Sequence, residues 1–310
     1  MSHQLEILLS TYNGEHYLSD QLDSLFAQSF TDWRLLIRDD GSTDRTQAII
    51  DAYITSHPDK IILLKDEIGC VGTAQSYSHL LRQSTAPYIA FCDQDDSWIS
   101  EKLAIQMNKM LEEENKTGKD FPLLINTDLM VTTNTLDILS ESLWSYQNIN
   151  PVKMHSLQNL LIQNHVTGCT FLMNRALVNN ALPIAEGAVM HDWWIALMAA
   201  AKGKIISIST PTVLYRQHKH NTVGAKKWCF MFIVKAFLNG STRYLDSYKQ
   251  TKAQAEALIN SGLIDGNSML ITQKYIGMFE KNWLERRKIM YREGFYKYGL
   301  LRNLAMFIYL

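Results

Sequence analysis

The chain opens by alternating short apolar runs with segments of helical period. Leu5–Leu9 (LEILL) stops at the turn cluster Ser10-Thr11-Tyr12-Asn13-Gly14, and Leu18, Leu22, Leu25 and Phe26 then recur at helical spacing. Trp33–Arg38 repeats the scheme. It ends in Asp39-Asp40-Gly41-Ser42-Thr43-Asp44, side chains suited to a helix start, and Ile49, Ile50 and Tyr53 follow at helical period. Lys60–Leu64 predicts a third strand, followed by Gly69–Gly72 and a helix through Tyr77, Leu80 and Leu81. Pro87–Cys92 predicts a fourth strand, and Trp98–Leu111 a further helix. Such alternation predicts a mostly parallel, doubly wound α/β sheet, whose ligand crevice lies beyond the carboxyl ends of its strands. The polar clusters STYNG, DDGSTD and CDQDDSW each fall at a strand end, so this fold would gather all three on one edge.

After Phe121–Leu124 the pattern is less regular. His165–Met173 reads as a loop entering a strand, and His191-Asp192-Trp193-Trp194 opens an apolar helix to Ala201. Lys204–Ser209 and Thr212–Arg216 read as two more strands. Beyond Asn221 strand signals stop, and the remainder reads as helical, basic and aromatic. This suggests one region over 1–220 and another over 221–310.

Charge sharpens that division. The 310 residues carry a net charge of −1, which argues against a general nucleic-acid binder. Residues 221–310 hold 14 Lys and Arg against 6 Asp and Glu, net +8, whereas the first 220 hold 16 against 25, net −9. In the tail, Lys226-Lys227 precede an apolar segment through Leu238, and Arg286-Arg287-Lys288, Tyr291, Arg292 and Tyr296–Tyr298 mix basic with aromatic character. An interfacial helix on an anionic membrane needs that mixture. A helical subdomain packed on the first region, or on a second copy as a homodimer, is the alternative. The four cysteines are scattered, as in a reducing compartment. The start has no basic segment followed by a long apolar one, and no run approaches the ~18 residues of a membrane span. The expectation is a cytoplasmic protein, at most peripheral on the inner face of the plasma membrane.

The chemistry concentrates in FCDQDDSW, which sets three carboxylates within four positions at a strand end. Side by side they repel, and a divalent cation resolves the repulsion. Hard carboxylate ligands suit Mg²⁺ or Mn²⁺, which commonly bridge to substrate phosphates. The first 220 residues contain no GxxxxGK[ST] loop to neutralise a phosphate otherwise. A solvated acidic loop is the plainer reading, and Asp96 could instead cap the next helix. In DDGSTD, Gly41 permits close backbone approach, and Asp39 or Asp40 could accept from the N–H of a nucleobase.

Taken in order, STYNG, DDGSTD and Asp93-Gln94-Asp95 resemble the family 2 inverting glycosyltransferases of GT-A fold, over about residues 1–220. MHDWW (190–194) is similar to the place of that family's catalytic aspartate, though His191 stands where the family often has glutamate. YRQHKHN (215–221) resembles the closing segment of bacterial rhamnosyltransferases, especially those of streptococcal rhamnan-type polysaccharides. The resemblance implies a nucleotide-sugar half over about 1–100 and an acceptor half over about 101–220. It implies that Thr11, Tyr12, Asn13, Asp40, Gly72 and Asp93 bind the donor, and that Asp93, Asp95 and His218 hold Mn²⁺ or Mg²⁺. Asp192 is then the general base, with His165, Gly168, Trp193 and Arg216 meeting the acceptor. The implied reaction moves L-rhamnose from dTDP-rhamnose to a polyprenyl-linked oligosaccharide. A UDP-hexose donor, or a non-catalytic polysaccharide-assembly subunit, is the alternative. For Asp192 and Trp193 the plainer roles are a helix N-cap and core packing.

Overall fold

The computed structural model describes residues 3–219, 221, 224–225 and 240–310. His220 of the YRQHKHN segment, Lys226-Lys227 and the apolar segment to Leu238 lie outside them. The order of elements is β1 (Leu5–Thr11), α1 (Leu18–Phe26), β2 (Trp33–Asp39), α2 (Thr46–Ser56), β3 (Ile61–Leu63), α3 (Thr73–Gln83), β4 (Tyr88–Cys92), β5 (Ser97–Trp98) and α4 (Lys102–Thr117). Then come β6 (Leu123–Thr132), β7 (Ile138–Ser140), the one-turn helices α5 (Leu143–Tyr146) and α6 (Leu157–Leu160), β8 (Leu172–Asn174), α7 (Arg175–Ala181), α8 (His191–Lys202) and β9 (Lys204–Arg216). Four helices close the described chain: Gly240–Asn260, Gly266–Gly277, Trp283–Glu293 and Leu300–Tyr309.

The strands form one mixed sheet in the order β3-β2-β1-β4-β8-β6-β9-β5, with β7 beside β6. Strands β3, β2, β1 and β4 run parallel, as the alternation predicts. The second half departs from it, because β8 lies antiparallel to both β4 and β6 while β6 and β9 are parallel. Register sets the working edge. Thr11 pairs with Asp39, and Leu9 pairs with Cys92, the residue before Asp93, so the polar clusters emerge together.

Alternation along the central strands feeds two cores. Leu5, Ile7 and Leu9 of β1 face a cluster with Leu22 of α1, Ile50 of α2 and Met107 of α4. Leu8 faces the other side, with Leu80 of α3 and Trp194 of α8. Each such fully buried Leu or Ile contributes roughly 1.5–3 kcal/mol over an exposed one. Tyr248, Leu258, Tyr275, Met290 and Met306 of the C-terminal helices, with Phe295 between the last two, join that second core, so the tail packs on the same side of the sheet as α3 and α8.

Two expected elements differ. Lys204–Arg216 is one strand of 13 residues, not two. Pro211, which lacks an N–H, is absorbed opposite Asp128, where the register with β6 shifts. Trp98 is not helical. Ser97 and Trp98 pair with Leu214 and Val213, and α4 begins at Lys102.

Candidate active site

The three strand-end clusters bind one another before they can bind anything else. Thr11 Oγ1 donates to Asp39 Oδ1 (2.8 Å), and Asp39 also accepts from the Ser42 N–H (2.9 Å) and hydroxyl (2.6 Å). Asn13, at φ +48°, donates its N–H to Ser42 Oγ and accepts from the Thr43 N–H through Oδ1 (2.9 and 2.8 Å). Gln94 is the cross-tie to the acidic cluster, its amide exchanging two 2.9 Å bonds with the backbone of Tyr12. Gly14 leaves room for it, since a Cβ there would meet Gln94 Oε1 at 2.5 Å and push the amide aside.

Arg38 anchors the loop after β3. Its guanidinium is 1% exposed and bonds Asp40 (2.5 Å), Asp66 (2.7 and 3.1 Å) and the Gly69 carbonyl (2.8 Å). Asp40 also accepts from the N–H groups of Val71 and Gly72 (2.9 and 2.8 Å). Burial works against its charge, but Val71 N–H, Arg38 and Gly72 N–H outweigh it and hold the carboxyl below the usual range. Gly72 takes φ +78° and leads into α3.

Asp93 and Asp95 stand at the exit of β4, lining a cavity of about 760 Å³. Burial first, then the charges of Asp95 and Asp192, pushes Asp93 up to about 7. Tyr77 holds it by a 3.2 Å bond from its hydroxyl, which also donates to the Cys92 carbonyl (2.6 Å). His218 Nε2 lies 2.8 Å from Asp95 Oδ2, and its ring packs on Tyr17 at 4.8 Å. Asp96 turns inward instead. It is fully buried, accepts from the Arg216 N–H at 3.2 Å and caps no helix, since α4 begins six residues later.

Ligand atoms of Asp93, Asp96 and Cys169 come within 4.8 Å of one another. Cys169 is buried, and burial pushes its thiol well above the ordinary value, a poor ligand for a hard cation. The carboxylates of Asp93 and Asp95, facing the cavity with mutual repulsion unrelieved by any lysine or arginine ion pair among the described residues, fit such an ion better.

Across the cavity stands Asp192, in the first turn of α8. Its Oδ2 accepts from the Gly168 N–H (3.2 Å) and the Asn164 amide (3.4 Å), and its Oδ1 from the Trp193 N–H (2.6 Å). Burial pushes the carboxyl up to about 6 despite these donors. Met190, not Asp192, is the N-cap residue, and no side chain caps the helix. His191 packs flat on Tyr77, with ring centroids 3.9 Å apart and planes at 11°, and burial pushes it down to about 3, so it stays neutral. Gly168 fits the corner without slack. A Cβ would lie 3.0 Å from Asp192 Cβ and 3.5 Å from both Asp192 Oδ2 and His191 Nε2. Gly168→Ala is therefore expected to displace Asp192 and lower turnover about tenfold or more, nucleotide affinity by calorimetry staying unchanged.

Of the expected residues, Thr11, Tyr12, Asp40, Asp93, Asp95, His165, Gly168, Asp192 and Trp193 share the cavity wall. Asn13, Gly72 and His218 stand behind it, the last through its bond to Asp95. Trp193 donates from Nε1 to the Leu160 carbonyl (2.7 Å), which fixes its ring, and burial makes His165 neutral, down to about 3. Arg216 is not at the cavity. It is 3% exposed, and its guanidinium bonds the Asp95 and Asn134 carbonyls and Asp20 (2.9, 2.7 and 2.8 Å), so it braces the acidic loop from behind and is not placed to meet an acceptor.

Sequence reasoning missed Gln94 and Asn164 on the cavity wall and Arg38 behind Asp40, as well as Ser247, Lys297 and Arg302 of the C-terminal region, which also line the cavity. An arginine closing an apolar strand just before two aspartates was a usable signal for Arg38. The tail residues had none, since only tertiary packing brings them there.

A curled, helix-flanked sheet with acidic clusters at its strand ends is the architecture of GT-A glycosyltransferases. The sequence pattern of Glycosyl transferase family 2 matches residues 6–180, and the chain belongs to that family. It is similar to the dTDP-rhamnosyl transferase RfbG of Shigella flexneri, 25% identical over 295 residues, which cover 90% of this chain and 94% of that one. The UDP-Glc:alpha-D-GlcNAc-diphosphoundecaprenol beta-1,3-glucosyltransferase WfgD of Escherichia coli is 29% identical over 176 residues, 56% of this chain and 62% of WfgD. Among solved structures, S. aureus TarS 1–349 in complex with UDP-GlcNAc superposes with a TM-score of 0.59 at 16% identity, covering 93% of this chain and 72% of that one.

Proposed function

We propose that this glycosyltransferase moves L-rhamnose from dTDP-rhamnose, with inversion, to a sugar hydroxyl of a lipid-linked oligosaccharide in bacterial surface-polysaccharide synthesis. The observation that carries the reaction type is the opposition, across one cavity, of Asp192 to the pair Asp93 and Asp95. The likeness to RfbG along 90% of the chain supports the donor.

One base suffices for this chemistry. The acceptor oxygen attacks the anomeric carbon as Asp192 takes its proton, and the bond to the diphosphate oxygen breaks with its electron pair leaving on the nucleoside diphosphate. No protein acid has to protonate that leaving group, as a hydrolase acid must. Asp192 is suited to the task, because the Gly168 and Trp193 N–H groups fix it and its pKa near 6 leaves it ionised yet basic at neutral pH. Mn²⁺ or Mg²⁺, held by Asp93 and Asp95 with His218 behind, would supply Lewis-acid stabilisation of the departing diphosphate. Thr11, Tyr12 and Asp40 form the donor side of the cavity, and His165, Gly168 and Trp193 the acceptor side.

A UDP-hexose donor is the second reading, favoured by the likeness to WfgD. A panel of dTDP-rhamnose, UDP-glucose, UDP-galactose and UDP-GlcNAc, scored by released nucleotide and thermal shift, separates the two. The proposal expects dTDP-rhamnose to be turned over fastest, and preferential turnover of a UDP-sugar would overturn it.

A further inference from the structure

The last helix, Leu300–Tyr309, buries one side and bares the other. Ala305, Met306 and Leu310 are inside, whereas Leu300, Leu301, Leu304 and Ile308 are exposed, Leu300 to 83%. At ~100° per residue these four positions fall within one arc, so they form a stripe. The helix Trp283–Glu293 adds exposed Trp283, Leu284 and Tyr291. The two helices are tied together. Arg287 donates to the Phe307 carbonyl (2.9 Å from Nε) beneath the Trp283 ring, and Arg286 donates to the Leu310 carbonyl. Exposed apolar positions gathered on two helices tied together in this way mark an interaction surface.

Charge selects the partner. Residues 281–310 carry net +5; of their cations Lys281, Lys288 and Arg292 are exposed, against one exposed carboxylate, Glu285, while Arg286, Arg287, Lys297 and Arg302 are engaged within the fold. A second copy packed on this face would oppose like charge with like, whereas an anionic lipid surface takes both the apolar stripe and the cations. The same stretch reaches the site. Lys297 and Arg302 line the catalytic cavity, and Arg302 donates to the carbonyls of Gln147 and Asn148 on its rim.

We propose that the bare stripe of Leu300–Tyr309, with Trp283, Leu284 and Tyr291, docks on an anionic phospholipid surface and sets the cavity mouth beside it. This deepens the proposed function by naming the face through which a lipid-linked acceptor arrives, and rests on that reading only for the acceptor.

The test uses the full chain and the variant L300E/L304E/I308E, whose three positions are all exposed. Vesicles of phosphatidylcholine with and without phosphatidylglycerol are sedimented at low and high salt. The wild type is expected to bind the anionic vesicles, to weaken with salt, and to bind neutral ones poorly, while the folded variant loses about tenfold or more in partition. Unchanged thermal melting and circular dichroism would show that the variant is folded. Transfer to a water-soluble acceptor should be unaffected, and transfer to a vesicle-borne one should fall. Equal vesicle binding by both proteins, or none by the wild type, would overturn the proposal. So would loss of a dimer in sedimentation velocity with vesicle binding intact. Vesicle binding as expected, with neither acceptor glycosylated, would uphold this surface and count against the proposed reaction alone.

Discussion

Asp192→Asn is expected to lower kcat by about 10²–10⁴-fold with nucleotide affinity nearly unchanged, since a general base acts on the acceptor only in the transition state. Asn keeps an oxygen for the Gly168 and Trp193 N–H groups but cannot take a proton. In the wild type, kcat/KM should fall as pH drops through about 6, the value to which burial raises this carboxyl. The folded protein binds that proton more tightly than the unfolded chain. The stability it contributes is therefore fully present below the unfolded carboxyl pKa and lost as pH rises through about 6. Relative to the wild type, Asp192→Asn should accordingly melt higher at pH 8 than at pH 4.5. A parallel loss of nucleotide binding in the variant, by calorimetry, would make Asp192 a donor ligand or a structural group.

Asp95→Asn is the second large effect. Removing one anionic oxygen from a pair that faces the cavity should abolish Mn²⁺- or Mg²⁺-supported transfer without unfolding the chain. Asp93→Asn should behave similarly or more mildly, because Tyr77 already holds that side chain. Burial, and after it the charges of Asp95 and Asp192, lifts Asp93 to about 7, so Asp93→Asn, which removes a buried charge, should without metal melt at or above the wild type. Added Mn²⁺ should raise the melting temperature of the wild type only. Full activity of Asp95→Asn at low metal concentration would remove Asp95 from the metal site.

What was legible in the sequence follows from what local patterns encode. The first four strands and their helices were readable because each apolar run is short and ends in turn residues. The alignment of their carboxyl ends follows from parallel pairing, so STYNG, DDGSTD and CDQDDSW could be assigned to one edge. The antiparallel β8 was not readable, since three residues carry too little alternation to set direction. Nor was the continuity of β9, because Pro211 looks like a break until β6 supplies a partner that can shift register. In the site, the acidic cluster announced Asp93 and Asp95, whereas Asp192, a lone carboxylate in MHDWW, came only with the family resemblance. Arg216 misled, because its motif position says nothing about the direction of its guanidinium, which reaches Asp20 and two carbonyls behind the acidic loop. The wall supplied by Lys297 and Arg302 depends on how the C-terminal helices pack, which no local pattern carries.

The central claim is direct displacement driven by a single base, and the anomeric configuration of the product tests it most directly. Purified enzyme, dTDP-rhamnose, Mn²⁺ and an oligosaccharide acceptor would be incubated, and the new glycosidic bond assigned by NMR. The account predicts a product of configuration opposite to the donor's, lost with Asp192→Asn. A product that retains the donor's configuration, or inverting transfer undiminished in Asp192→Asn, would contradict it.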